Sequence, residues 1–216
     1  MSMLEPLLKH DPASPRLTVY DESTGSRMEF SGVTLDNWAN KIANMMTQEF
    51  DSDPDSAIRI DLPASWQAAV IPLGIIAAEL TPLFQGDAEL VFTDLEGYER
   101  WPDADDVVVV SNDPFGRGVV ESGGTLPLGA IDFGPTVRFY GDQYFGASPE
   151  LAQFRVDGVV DKRYLTTGWS TDDDFRNRIL APLAAGGSVV IVTGMASTQR
   201  LDEIATIEKV TARLES

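Results

Sequence analysis

Short apolar runs that recur between helical stretches constrain this chain more than any other feature. They are "AIRIDL" (57–62), "AELVFTD" (88–94), "DVVVVSN" (106–112), "KRYLTT" (162–167) and "SVVIVT" (188–193). The valine-rich ones lack strict apolar–polar alternation, so both faces of each strand must be covered. Parallel sheets with crossover helices meet that demand. Alternating strand and helix signals then predict an α/β chain, with a layered, mostly parallel sheet and helices on both faces.

The intervening segments supply the helices. In "TLDNWANKIANMMTQEF", Leu35, Trp38, Ala39, Ile42, Met45 and Met46 recur at helical spacing, with Thr34 as the expected N-cap. "PASWQAAVIPLGIIAAEL" reads as a helix opened by Pro63 and Ser65 and bent by Pro72. "LEGYERWP" fits a short helix, and Pro135 suits the first turn of another. "STDDDFRNRILAPLAAGG" reads as a helix capped by Thr171, and "STQRLDEIATIEKVTARL" as a closing amphipathic helix. Upstream, "RLTVYDESTGSRMEFS" alternates on both sides of a polar turn, an N-terminal β-hairpin pattern. The expected organisation is a single domain, 1–216, with lobes at 16–140 and 162–216 and a seam at 141–161.

The chain has 34 Asp and Glu against 16 Lys and Arg, a formal net charge of -18. Nucleic acid and anionic lipid bind through clustered basic residues, so neither is expected as a partner. Cysteine is absent, which excludes disulfides and thiol chemistry. The one histidine, His10, lies in a polar leader with no secretory pattern. The longest apolar run, "AAVIPLGIIAA", falls well short of the roughly 20 residues that span a bilayer. A cytoplasmic protein is expected.

Asp51, Asp53 and Asp55 have the spacing that opens a calcium loop, but Ser56 and Leu62 stand where glycine and glutamate are required. Asp172, Asp173 and Asp174 complement a helix dipole. No metal or cofactor is expected. Gly116, Gly118 and Gly123 do not have dinucleotide spacing. The loop 111–129 offers Asp113 and Glu121 as a candidate acid–base pair. Trp66, at a helix start after a strand, and Trp169, after "YLTTG", are candidates to line a cleft.

Three patches, in this order, resemble the N-terminal domain of the adenylate-forming family of acyl-CoA synthetases, peptide-synthetase adenylation domains and luciferases. They are "LTVYDESTGSRMEFSGVTLDNWANKIANMM", "IRIDLPASWQAAVIPLGIIAAEL" and "ILAPLAAGGSVVIV" with its tail "LDEIATIEKVT". The family's phosphate loop, [ST]-[ST]-G-[ST]-T-G-x-P-K-G, has no counterpart between Gly141 and Val160. "YLTTGWS" supplies Thr166, Thr167 and Gly168, but no lysine follows. It is similar to a later strand and aromatic turn beside the family's acyl pocket. The resemblance therefore implies a truncated domain without the catalytic lysine. Such a domain would bind a small acyl or adenylate-like molecule, with Trp66, Thr166, Thr167 and Trp169 as candidate contacts, or pair with a protein. Two other readings stand beside it: an enzyme using the loop carboxylates, and a structural homodimer joined through "SVVIVT" as an edge strand or through "IPLGIIAA".

Overall fold

The computed structural model describes residues 2–9, 11–50, 52–54 and 56–214. The calcium-loop pattern depends on Asp51 and Asp55, and these, like His10, lie outside the described residues. Two compact units are present, each with its own five-stranded sheet. Asn37–Pro63 and Gln67–Ser148 build the first, while Met3–Asp36, Ala64–Trp66 and the chain from Pro149 onward build the second.

In the second unit β1 (Pro15–Asp21) and β2 (Ser26–Ser31) form the expected antiparallel hairpin, with Leu17 opposite Phe30 and Val19 opposite Met28. The lobe boundary expected from the sequence groups this hairpin with residues up to 140. The chain instead carries it to the later strands, because β1 pairs in parallel with a strand at Ser188–Thr193. The α1 helix (Gly32–Gln48) starts two residues before the expected cap. Ser31 is the capping residue, since its Oγ accepts the Thr34 amide at 3.2 Å.

The first unit contains β3 (Ala57–Asp61), most of α2 (Trp66–Ala77), β4 (Thr81–Leu83), β5 (Leu90–Thr93), β6 (Asp106–Val109), β7 (Ile131–Asp132) and α3 (Phe133–Arg138). All its strand pairs are parallel, in the spatial order β4-β3-β5-β6-β7. Counted within this sheet, that is the doubly wound order 2-1-3-4-5, whose reversal point falls between β3 and β5. Pro82 is tolerated because β4 is an edge strand. Phe92 on β5 meets Phe133 edge-on, and Phe133 stacks with Trp38 of α1. The opposite sheet face, carrying Val107 and Val109, is covered by Tyr98 of a short 3-10 helix (Tyr98–Arg100), which matches the short helix expected at "LEGYERWP", and by Trp101, Val119 and Leu126 from irregular segments rather than by an α-helix. The helix α2 is buried along its length, which explains why its sequence is apolar all round.

The second unit continues through β8 (Arg163–Thr166), α4 (Asp172–Phe175), a π turn (Arg176–Leu180), α5 (Ala181–Ala184), β9 (Ser188–Thr193), α6 (Thr198–Ile207) and β10 (Ala212–Arg213). Thr171 caps α4 as expected, accepting the Asp174 amide. The π turn precedes Pro182, which has no amide to give the preceding helical turn. Two expectations are corrected here. "SVVIVT" is not an edge strand: the sheet order β10-β8-β9-β1-β2 places β9 at its centre. Nor is "IPLGIIAA" an open surface, because Ile71, Leu73, Ile75 and Ile76 are buried. The closing helix is also shorter than its periodicity suggests. It ends at Ile207, Lys209 takes the left-handed conformation (φ 54), and the chain turns into β10.

A buried polar network ties α6 to its sheet. The Glu208 carboxylate accepts the Tyr20 hydroxyl at 2.6 Å, Arg27 Nε at 2.8 Å and Arg163 Nη2 at 2.6 Å. Burial pushes its pKa up, but hydrogen bonds from Arg27, Tyr20 and Arg163 outweigh that and bring it down to about 2. A carboxyl depressed in the folded state stabilises the fold above its unfolded pKa, and that contribution is lost as pH falls through the folded value. The fold is therefore expected to lose of order 3 kcal/mol between about pH 4.5 and pH 2. Urea denaturation as a function of pH measures this loss, and Glu208→Gln should flatten it.

In the first unit Gly74 of α2 lies against α1. A Cβ there would stand 2.4 Å from the Ile42 Cβ and 2.9 Å from the Ala39 carbonyl. Although alanine is the better helix former by about 1 kcal/mol, Gly74→Ala is expected to destabilise by about 1–3 kcal/mol. A lower urea midpoint with an unchanged slope would show it.

Candidate functional site

In open parallel sheets, ligands bind outside the carboxyl ends of the strands, near the reversal point. The first unit has a cleft of about 480 Å³ outside these carboxyl ends, one strand over from the reversal point, where β5 runs into Asp94–Glu96 and β6 into Val110–Pro114. That volume lies within the usual range for small-molecule sites. Its apolar wall is Leu95, Val110, Pro114 and Val119, and Ser111, Asn112 and Ser122 add polar groups. Gln67 of α2 sets how the chain leaves β6, donating to the carbonyls of Ser111 and Asp113, each at 3.1 Å.

The floor is the loop 113–124, held by carboxylates. Asp113 Oδ1 accepts the amides of Phe115 and Arg117, and its Oδ2 accepts Arg117 Nε and Nη2 at 3.0 and 2.7 Å. Asp132, at the end of β7, accepts the amides of Val119 and Val120. Glu121 accepts the Gly118 amide and two bonds from Arg138 Nη2. Gly118 is required where it stands, since a Cβ would lie 2.5 Å from both Asp132 Oδ2 and Pro135 Cδ. The Arg117 side chain holds Asp113 below the usual carboxylate range, and the Arg138 side chain does the same for Glu121. The acid–base pair expected in this loop is thus two ionised carboxylates, each held by an arginine.

Beside the cleft, at the reversal point itself, Asp61 Oδ2 accepts Arg100 Nε and Nη2 at 3.0 and 2.7 Å and Trp101 Nε1 at 2.8 Å. Burial raises the Asp61 pKa, but the bonds from Arg100 and Trp101 prevail and lower it. The Trp101 ring lies beneath the Arg59 guanidinium, 5.5 Å from ring centroid to Cζ.

The sequence-predicted ligand contacts all belong to the second unit. Trp66 is 5% exposed and packs on Phe30 with ring centroids 5.1 Å apart, a core position. Thr166 is buried and donates to the Gly168 carbonyl at 3.2 Å. Thr167 is exposed. Trp169 is half-buried and meets Phe175 edge-on. Arg178, on the π turn, clamps this bend by donating to the Gly168 carbonyl at 2.7 Å. Gly168 has φ +119, a backbone region closed to most side chains, and a Cβ would stand 3.1 Å from the Ala64 Cβ. Among the described residues no group of three or more carboxylates or imidazoles is placed to hold a metal, and no helix is long and apolar enough to cross a membrane.

No family model matches the chain. A TIGR03089 family protein of Mycobacterium tuberculosis is 35% identical over 240 residues, covering 97% of this chain and 95% of that one. The chain belongs to the TIGR03089 family. Its fold is that of acyl-CoA synthetases. The crystal structure of a Brucella canis acyl-CoA synthetase superposes with a TM-score of 0.76 at 15% identity, covering 100% of this chain and 47% of the synthetase. An anthranilate CoA ligase, AuaEII, solved with anthranoyl-AMP, gives 0.66 at 12% identity, covering 97% of this chain and 48% of the ligase. The chain spans about half the length of these enzymes.

The residues that shape the cleft were not singled out by sequence, apart from Asp113 and Glu121. "FTD" and "VVSND" do place an aspartate just beyond each of two parallel strands. That signal depends on knowing that the strands are neighbours. Because Asp113 anchors the cleft floor, Asp113→Asn is expected to speed amide hydrogen exchange at Phe115 and Arg117 while leaving β5 and β6 protected. Exchange followed by NMR resolves the two regions.

Proposed function

We propose that this TIGR03089 family member is a non-catalytic, acyl-CoA-synthetase-like domain that binds a small molecule without activating it. The observation that carries the reading is the cleft at the carboxyl ends of β5 and β6, with its apolar wall of Leu95, Val110, Pro114 and Val119. An acyl or other apolar body suits that wall. An adenylate phosphate suits it less, because the lining's one cation, Arg117, is already bound side-on to Asp113.

Two further points support binding without activation. The sequence carries no phosphate loop of the adenylate-forming pattern before β8, and no lysine follows Thr167 within the "YLTTGWS" turn. Backbone amides and a lysine that hold the transferring phosphates provide most of the stabilisation in such chemistry. The loop carboxylates, Asp113 and Glu121, are each engaged by arginine and ionised, so neither serves as a proton donor at neutral pH.

The purified chain is expected to show no ATP–pyrophosphate exchange that depends on an added carboxylic acid, whereas robust acid-dependent exchange would sink the reading. Small apolar molecules should shift the NMR signals of Leu95, Val110 and Val119 in a saturable way. Ser122→Trp, an exposed position on the rim, should abolish those shifts without unfolding the protein.

A further inference from the structure

We infer that the cleft selects a molecule with an apolar body and a protonated amine, and discriminates against the carboxylates and phosphates handled by the enzymes that share its fold. The inference rests on the cleft being the ligand site. It adds the charge of the ligand, which the cavity and its surroundings set independently of the apolar wall.

The charged groups of the lining are Asp94, Glu96 and Asp113 against Arg117. Asp113 and Arg117 cancel, being joined by two hydrogen bonds between guanidinium and carboxylate. The two carboxylates left over stand on one rim, at the end of β5. Asp94 uses Oδ1 to accept the Gly97 amide at 2.7 Å, which fixes the side chain in place. Glu96 is exposed. Arg100, whose charge acts on both, is itself committed to Asp61. Glu121, on the loop that forms the floor, and Arg138, at the end of α3, form another closed pair. Asp61 is shared by Arg100 and Arg59, so the three carboxylates Asp61, Asp94 and Glu96 face two arginines, and a negative charge remains in surplus on the rim of Asp94 and Glu96, neither of which is tied to an arginine of the lining.

The apolar side of the cleft stands close to that rim. A side chain at Gly124 would meet both the Val119 and the Leu95 side chains, at 3.0 and 3.5 Å, so these two close over the same space. Leu95 lies between the two surplus carboxylates in the chain. A bound alkyl or aryl group on Leu95, Val110 and Val119 therefore carries a terminal amine toward Asp94 and Glu96. A terminal carboxylate in the same pose meets like charge, against the background of a chain with formal net charge -18.

Three probes with the same six-carbon chain test the inference: hexylamine, hexanol and hexanoate, titrated into the intact protein at neutral pH and followed by amide NMR. The expected order of affinity is amine, then alcohol, then carboxylate, with shifts centred on Leu95, Val110 and Val119. Glu96→Gln, at an exposed position, should weaken hexylamine about fivefold and leave hexanol unchanged. Added salt should erode the amine's advantage over the alcohol. Hexanol binding in the cleft with no preference for the amine, or hexylamine binding that Glu96→Gln leaves intact, overturns the charge assignment and leaves the cleft standing. Shifts from none of the three probes at the cleft would overturn the small-molecule site itself. Hexylamine shifts spread over acidic surfaces elsewhere, without saturation, would also overturn the inference, because they show only the general field of the chain.

Discussion

Parallel strands cannot be joined by tight turns, and everything else in this chain follows from that constraint. Each parallel pair needs a crossover, and each crossover must cover a sheet face that has no water to satisfy it. In the second unit the demand is met over a long range in sequence: β1 pairs with β9, so that Leu17–Asp21 runs beside Val189–Thr193. The hairpin therefore belongs to a sheet otherwise completed by the last third of the chain. The strand β9, flanked on both edges, is fully committed to backbone hydrogen bonding within the chain.

In the first unit the same constraint creates the candidate site. The strands β5 and β6 are both short and both point their carboxyl ends the same way. Their exits, Asp94–Glu96 and Val110–Pro114, line the cleft one strand away from the reversal point. One sheet face is covered largely by irregular segments, and such segments bring many backbone groups that need partners. Asp113, Asp132, Glu121 and Asp94 meet that need by accepting amides. The acidic composition is thus partly structural. Several carboxylates that would otherwise look like solvated surface groups hold loops together, and arginines neutralise some of them but not all.

Arginine has a consistent role in both units. Arg27 and Arg163 satisfy Glu208, Arg117 satisfies Asp113, Arg100 satisfies Asp61 and Arg138 satisfies Glu121. A guanidinium carries several donors, and three of these pairs make two contacts each: Arg100 and Arg117 bring Nε and Nη2 to a single carboxylate oxygen, and Arg138 brings Nη2 to both oxygens of Glu121. With basic residues scarce, this pairing commits Arg117, the cation of the cleft lining, to a carboxylate of the same lining.

The sequence by itself determined the α/β class, the hairpin, most helices and the longer strands of each sheet, because periodicity and capping are local properties. Thr171 and the run Leu35 to Met46 show how far such signals reach. It also carried the resemblance to acyl-CoA synthetases, through packing patches kept in order. What only the tertiary structure decided was which strands are neighbours and which polar side chains are already satisfied. Trp66 looked like a ligand contact and is a core residue against Phe30, since a tryptophan at a helix start fits either role until its neighbours are known. Asp113 and Glu121 looked like an acid–base pair and are loop anchors, because Arg117 and Arg138 reach them in the fold. The two-residue strands β7 and β10 and the end of α6 at Lys209 escaped periodicity altogether, being too short, or too dependent on a partner strand, to leave a pattern of their own. Local order is written in the spacing of side chains, whereas the satisfaction of charge and hydrogen bonds depends on residues distant in the chain, and only folding brings those together.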